Sequence, residues 1–94
     1  MDILQETICR VKDTGNGAGP LWCYGSTSIM RLGNTVVAAV PANDENVKPL
    51  ADRHIEIYAK TGDDPWRMLW RDERFTREPA PLARRDDKSF WITL

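Results

Sequence analysis

The sequence predicts an all-β chain of short antiparallel strands, and three observations lead there. Turn-forming clusters recur at residues 15–20, 33–34, 61–65 and 85–88. The runs between them are rich in β-branched and aromatic residues, and no window of a dozen residues keeps the helical apolar period of about 3.6. Helix is therefore expected to be almost absent.

Taken in order, residues 6–11 read as a leading strand, followed by a glycine-rich loop through residue 22. Residues 24–32 form the next strand and turn at Gly33-Asn34 into a strand over 35–40, a hairpin with a tight turn in which Gly33 takes a positive φ. Apolar residues on both parities of 36–40 predict a central strand buried on both faces. A long loop over 41–53, with two prolines, leads to 54–60. There His54, Glu56, Tyr58 and Lys60 alternate with Ile55, Ile57 and Ala59, the mark of a half-exposed strand. A turn at Asp63-Asp64-Pro65 joins this to 66–71, where strict alternation would put Trp66, Met68 and Trp70 on one face and Arg67 and Arg71 on the other. Two more strands are expected over 80–84 and 89–94.

Composition narrows the function classes. Ninety-four residues carry 13 Lys and Arg against 14 Asp and Glu, a formal net charge of −1. That is one small domain without the basic face that a nucleic-acid footprint requires. No apolar run approaches the ~20 residues of a membrane span, and the first ten residues have neither a basic start nor an apolar signal core, so an unexported chain that makes no use of membrane is expected. Charge is uneven: residues 71–88 hold 11 charged side chains, whereas 26–42 hold only Arg31, which makes the latter the expected core. Cys9 and Cys23 lie 14 apart with no Cys-x-x-Cys, so they read as reduced structural thiols, bridged only if their strands are neighbours. His54 is the single histidine and reads as a strand residue rather than a metal ligand. No cofactor motif is present: the glycines at 15, 17 and 19 lack the strand-to-helix context of a phosphate cradle.

Four strands in an up-and-down meander make one propeller blade. A repeat points the same way, because residues 29–40 run beside 82–94 at an offset of 53 to 54 with one insertion, both reading as strand, polar turn, strand. The division that follows is a leading strand and loop over 5–22, a full blade over 23–71 and the start of a second over 72–94.

Residues 17–94 resemble the opening blades of the BNR-repeat, sialidase-like β-propeller proteins. The resemblance rests on Gly19-Pro-Leu-Trp-Cys-Tyr-Gly-Ser26, on Val47-Lys-Pro-Leu50, and on Thr76-Arg-Glu-Pro-Ala-Pro-Leu82. The last is similar to the Arg-Ile-Pro-x-Leu motif that opens a sialidase blade, with Glu78 replacing the apolar residue and one extra position before the leucine. The Asp-box of the family, Ser-x-Asp-x-Gly-x-x-Trp, survives only as Thr61-Gly-Asp-Asp-Pro-Trp66. The resemblance implies that segments 12–22, 41–53 and 72–79 share one rim, where ligands bind in such folds. It also implies that Tyr24, Arg77 and Glu78 stand high on inner strands, with Arg77 able to grip a carboxylate bidentately and Trp22 able to stack on a sugar. Read as residues alone, Arg77 and Glu78 can equally pair with each other, or with Arg74 and Glu73, on a solvated loop, and Trp22 can pack under the glycine loop. Trp66, Trp70 and Trp91 are expected to pack within blades.

A sialidase-type hydrolysis needs an arginine cluster, an activated tyrosine and a separate acid/base carboxylate, which one copy of this motif does not supply. The functional expectation is thus a carbohydrate-binding or carbohydrate-processing module around Arg77, Glu78, Tyr24 and Trp22, without catalysis by the isolated chain. The alternative is a structural, self-assembling β protein. The apolar run 90–94 is expected to present an unpaired edge, with 6–11 of another copy as its complement. Homo-oligomerisation follows, a trimer being the simplest closed ring and a swapped dimer the next.

Overall fold

The computed structural model describes residues 3–12, 26–44 and 53–94. Among them the chain is all-β, without helix: a four-stranded antiparallel sheet and a separate two-stranded sheet. The strands are β1 (Ile29–Leu32), β2 (Thr35–Asn43), β3 (Arg53–Thr61), β4 (Arg67–Arg71), β5 (Leu82–Arg84) and β6 (Phe90–Ile92). The large sheet is a meander in sequence order β1-β2-β3-β4, and β5 pairs with β6. Tyr24, Trp22, Cys23 and the glycine-rich loop fall outside the described residues.

The longest ladder joins β2 to β3 from Thr35↔Thr61 to Asn43↔Arg53. Val37, Ala38 and Ala39 are all buried, as the two-parity apolar run requires of a central strand. β2 runs three residues past its expected end and through a proline. Ala39 donates its amide to Ser28 on the β1 side at 2.8 Å, so the position two residues on, Pro41, directs its missing N–H to the same side. β1 pairs no further along β2 than Ala38, so Pro41 removes no ladder bond.

On one face, Val37, Ala39, Ile55, Ile57 and Ala59 form the core with Leu32, and Ala80 and Leu82 cover them, with Met30, Phe90 and Ile92 packed at the margin. The small sheet lies over this face, tied to the residues before β1 by a hydrogen bond from the Leu82 amide to the Thr27 carbonyl, 2.9 Å.

Three expectations are corrected. Residues 6–11 are not a strand. Their segment crosses the opposite face of the large sheet, where Glu6 meets Lys60 and Trp66 and Cys9 lies beside Tyr58, and at the end of β2 the Lys12 carbonyl accepts from Asn43 Nδ2. β3 beneath it is already flanked by β2 and β4, so the segment cannot pair with that strand and lies across the sheet as a strap. The strict alternation of 66–71 also fails. The β3–β4 register shifts so that Ile57 opposes Trp70 while the next residue, Tyr58, opposes Met68. This bulge turns Trp70 and Met68 to opposite faces. Finally, Trp70 and Trp91 do not pack into the interior: Trp70 is 43% and Trp91 61% exposed, the latter under the Arg85 guanidinium at 5.4 Å. Their strands, β4 and β6, stand at the margins of their sheets among the described residues.

Gly33 has φ 57°, as the tight turn demands, and a Cβ there would meet nothing within 4 Å. Its cost would therefore be backbone strain alone. Gly33→Val is expected to destabilise by about 1–2 kcal/mol, a fall of roughly 4–8 °C or more in melting temperature. An unchanged thermal melt would contradict this.

Candidate functional site

The sequence places the candidate site at one end of the large sheet, where β2 stops, β3 begins and the connection from β4 to β5 returns. That connection is stitched to β3 by the backbone: Arg53 and Thr76 exchange amide-to-carbonyl bonds of 3.2 and 2.8 Å, and the Asp72 amide bonds the Ile55 carbonyl at 2.8 Å. The segments 41–44 and 72–79 thereby meet across the start of β3.

Arg53 fastens this corner. It is 1% exposed, donates through Nε to Asn43 Oδ1 (3.0 Å) and through Nη1 to the Arg77 carbonyl (3.2 Å). A buried guanidinium costs stability unless its donors are used, so these bonds hold the Arg77 backbone in place. Sequence reading assigned Arg53 to the loop before the strand. The signal was the inward parity of Ala59, Ile57 and Ile55, which reaches Arg53 when continued one step.

His54, on the opposite parity, is also buried. Its Nδ1 lies 2.7 Å from the Asp72 carbonyl oxygen, which can only accept, so Nδ1 carries the proton. Nε2 lies 3.9 Å from Asp44, and the ring packs on Phe75 with centroids 4.3 Å apart. The histidine is thus a structural clip between the two rim segments, and no group of three or more His, Cys, Asp or Glu arranged for a metal occurs among the described residues. Asp72 receives the Arg74 backbone amide (3.1 Å) and the Arg74 guanidinium at both carboxylate oxygens (3.0 and 2.9 Å). The Arg74 side chain holds the Asp72 carboxyl below its ordinary range, with the Arg74 amide adding to the effect.

Of the residues singled out in the sequence, Arg77 and Glu78 belong to this corner, in the exposed connection rather than on a strand. They pair with each other at 3.1 Å. A cleft of about 290 Å³ opens beside them, lined by Ile55, Phe75 and Ala80 together with Asp72, Arg74 and Glu78. Glu78 faces it and Arg77 is not among its lining residues. Glu78 takes the Nε edge of the Arg77 guanidinium, so a carboxylated ligand gripped bidentately through that edge would have to displace it. Tyr24 and Trp22 lie outside the described residues.

Cys9 is a half-buried free thiol beside Tyr58, and burial raises its pKa above the usual thiol range, which keeps it protonated at neutral pH. Burial, then the bond from its hydroxyl to Glu56 at 2.8 Å, likewise raises Tyr58.

No protein-family model, curated protein or solved structure matches the chain.

The Asp72–Arg74 pair has a pH signature. A carboxyl whose folded pKa is depressed contributes stability above its unfolded value and loses it as pH falls toward the folded value. Between about pH 5 and pH 2, the wild-type melting temperature is therefore expected to fall more steeply than that of Asp72→Asn. Parallel curves would show that the pair does not support this corner.

Proposed function

We propose that the chain is a blade-forming module of the sialidase-like propeller type and that it works non-catalytically, by self-association. The observation that carries this reading is an apolar cleft of about 400 Å³ between β4 and the small sheet, lined by Ile57, Leu69, Trp70, Phe90, Ile92 and Leu94. Leu69 and Trp70 are each 43% and Leu94 57% exposed, and burying a side chain of this size stabilises by about 1.5–3 kcal/mol. The occupant is a second copy, because the cleft is continuous with strand edges. Among the described residues β6 pairs with β5 alone and β4 with β3 alone. Such edges recruit further strands.

The blade reading is supported by the uninterrupted β1-β2-β3-β4 meander, and by β5 lying beside the start of β1 as the innermost strand of a following blade would. By analogy with six-bladed rings a trimer is the simplest closure and a dimer the next. The complement is not a free 6–11 strand, since that segment is engaged by its own sheet.

A second reading, glycan binding at the rim, rests on the cleft beside Glu78. Its recognition group would be Arg77, released from Glu78 to take a carboxylate or sulfate.

Sedimentation at micromolar concentration is expected to give three times the 10.7 kDa chain mass, or twice it for a dimer. Trp70→Glu is expected to weaken association roughly tenfold or more. A compact monomer would overturn the assembly reading. Retention of a carboxylated or sulfated glycan by wild type, lost in Arg77→Ala, would then establish the rim reading in its place.

A further inference from the structure

The end of the large sheet opposite the rim holds a second constellation, independent of both readings above. Here the Gly33-Asn34 and Gly62 turns abut, with the Gly62 amide donating to the Asn34 carbonyl at 3.0 Å. A cleft of about 310 Å³ lies beside them, lined among others by Glu6 of the strap, Arg31, Lys60, Asp63 and Trp66.

The cleft is built on the rigid ladder. Arg31 opposes Val36 across β1–β2, and Val36 opposes Lys60 across β2–β3. Directly opposed residues share a face, so the two cations flank Val36 in one row. Trp66 stands one residue before Arg67, which pairs with Ala59. Two donors converge from this frame on one carboxylate: Lys60 Nζ bonds Glu6 Oε1, and Trp66 Nε1 donates to Glu6 Oε2 at 3.1 Å. Each carboxylate oxygen thus has its own donor, one of them cationic, the arrangement of a carboxylate receptor. The receptor half comes from β3 and the residue before β4, whereas the carboxylate comes from a segment outside both sheets. The Lys60 side chain is 19% exposed against 48% for Glu6, so the donor is the more sheltered partner. Lys60, and then Trp66, hold the Glu6 carboxyl below its ordinary range.

We propose that Lys60 and Trp66, on the wall of this cleft, form a binding site for small carboxylate-bearing ligands, and that Glu6 occupies these two donors in cis as a displaceable resident. A tethered carboxylate competes at an effective concentration on the order of millimolar, so the wild-type site is masked from weak ligands and opens when the strap lifts. Asp63 at the margin disfavours highly charged anions, which directs the site toward monocarboxylates. Arg31 supplies a second positive charge for a ligand larger than the glutamate side chain.

The test is a titration of the ¹⁵N-labelled 94-residue chain with propionate and with glucuronate, following the Trp66 indole N–H resonance, with glucose as the uncharged control and sulfate as the competing anion. Glu6→Ala is expected to bind both carboxylates about tenfold or more tightly than wild type, with saturable movement of the Trp66 signal. Glucose should leave that signal in place, and adding Lys60→Met should abolish the response. Glu6→Gln, which retains the side-chain length, serves as a second variant and is expected to fall between Ala and wild type. Equal affinity in wild type and Glu6→Ala, a Trp66 signal that does not move, or a response that survives Lys60→Met would overturn the proposal. Sulfate binding as tightly as the carboxylates would overturn its carboxylate selectivity.

Discussion

Nearly everything in this fold takes its position from the ladder between β2 and β3. Nine residues of each strand pair in one unbroken register. A shift of β3 by one residue would turn Ile55, Ile57 and Ala59 away from the face that holds Val37 and Ala39, so burial enforces that register. The two clefts with charged linings then follow. One end of the ladder carries the paired turns and Lys60, and the other carries Arg53 and the returning connection.

The ladder is covered on both faces by different means. The small sheet covers one with aliphatic packing from Ala80 and Leu82. The strap crosses the other, bonded to Lys60 and Trp66 at one end and with Cys9 against Tyr58, and its far end is held by Asn43 where β2 stops. Packing of the first kind is non-directional and not readily reversed, whereas exposed ion pairs exchange readily with water and with competing ions. The strap is therefore the cover suited to exchange with a ligand, and the apolar margin by β4 and β6 is the surface suited to lasting contact with another chain. Function on this account divides between the two.

Much of the central sheet is legible in the sequence because local rules act there without competition. The Gly33-Asn34 turn, the doubly buried β2 and the alternating β3 each follow from a pattern a few residues long. What escapes is set by partners distant in sequence. Residues 6–11 have strand-like composition, but the sheet they meet presents a face rather than an edge. The bulge between Ile57 and Tyr58 reverses the facing of Trp70 against Met68, which no alternation rule detects. Arg53 looks like a loop cation until its inward parity is followed from Ile55, and His54 looks exposed until the connection from β4 folds back over it. At the rim, the Arg77–Glu78 pairing was one of the arrangements the residues themselves allowed. The Glu6 contact with Lys60 and Trp66 joins residues more than fifty positions apart and leaves no local signal.

Amide hydrogen exchange followed residue by residue tests the primacy of the β2–β3 ladder most directly. The account predicts that the slowest amides are those of Ala38, Val40, Glu56 and Tyr58, which bond across the ladder and exchange only by global unfolding, with β5, β6 and the strap opening at lower free energy. Protection in β5 and β6 equal to or greater than that of β2 and β3 would contradict it, and would make the small sheet, rather than the ladder, the frame on which the molecule is built.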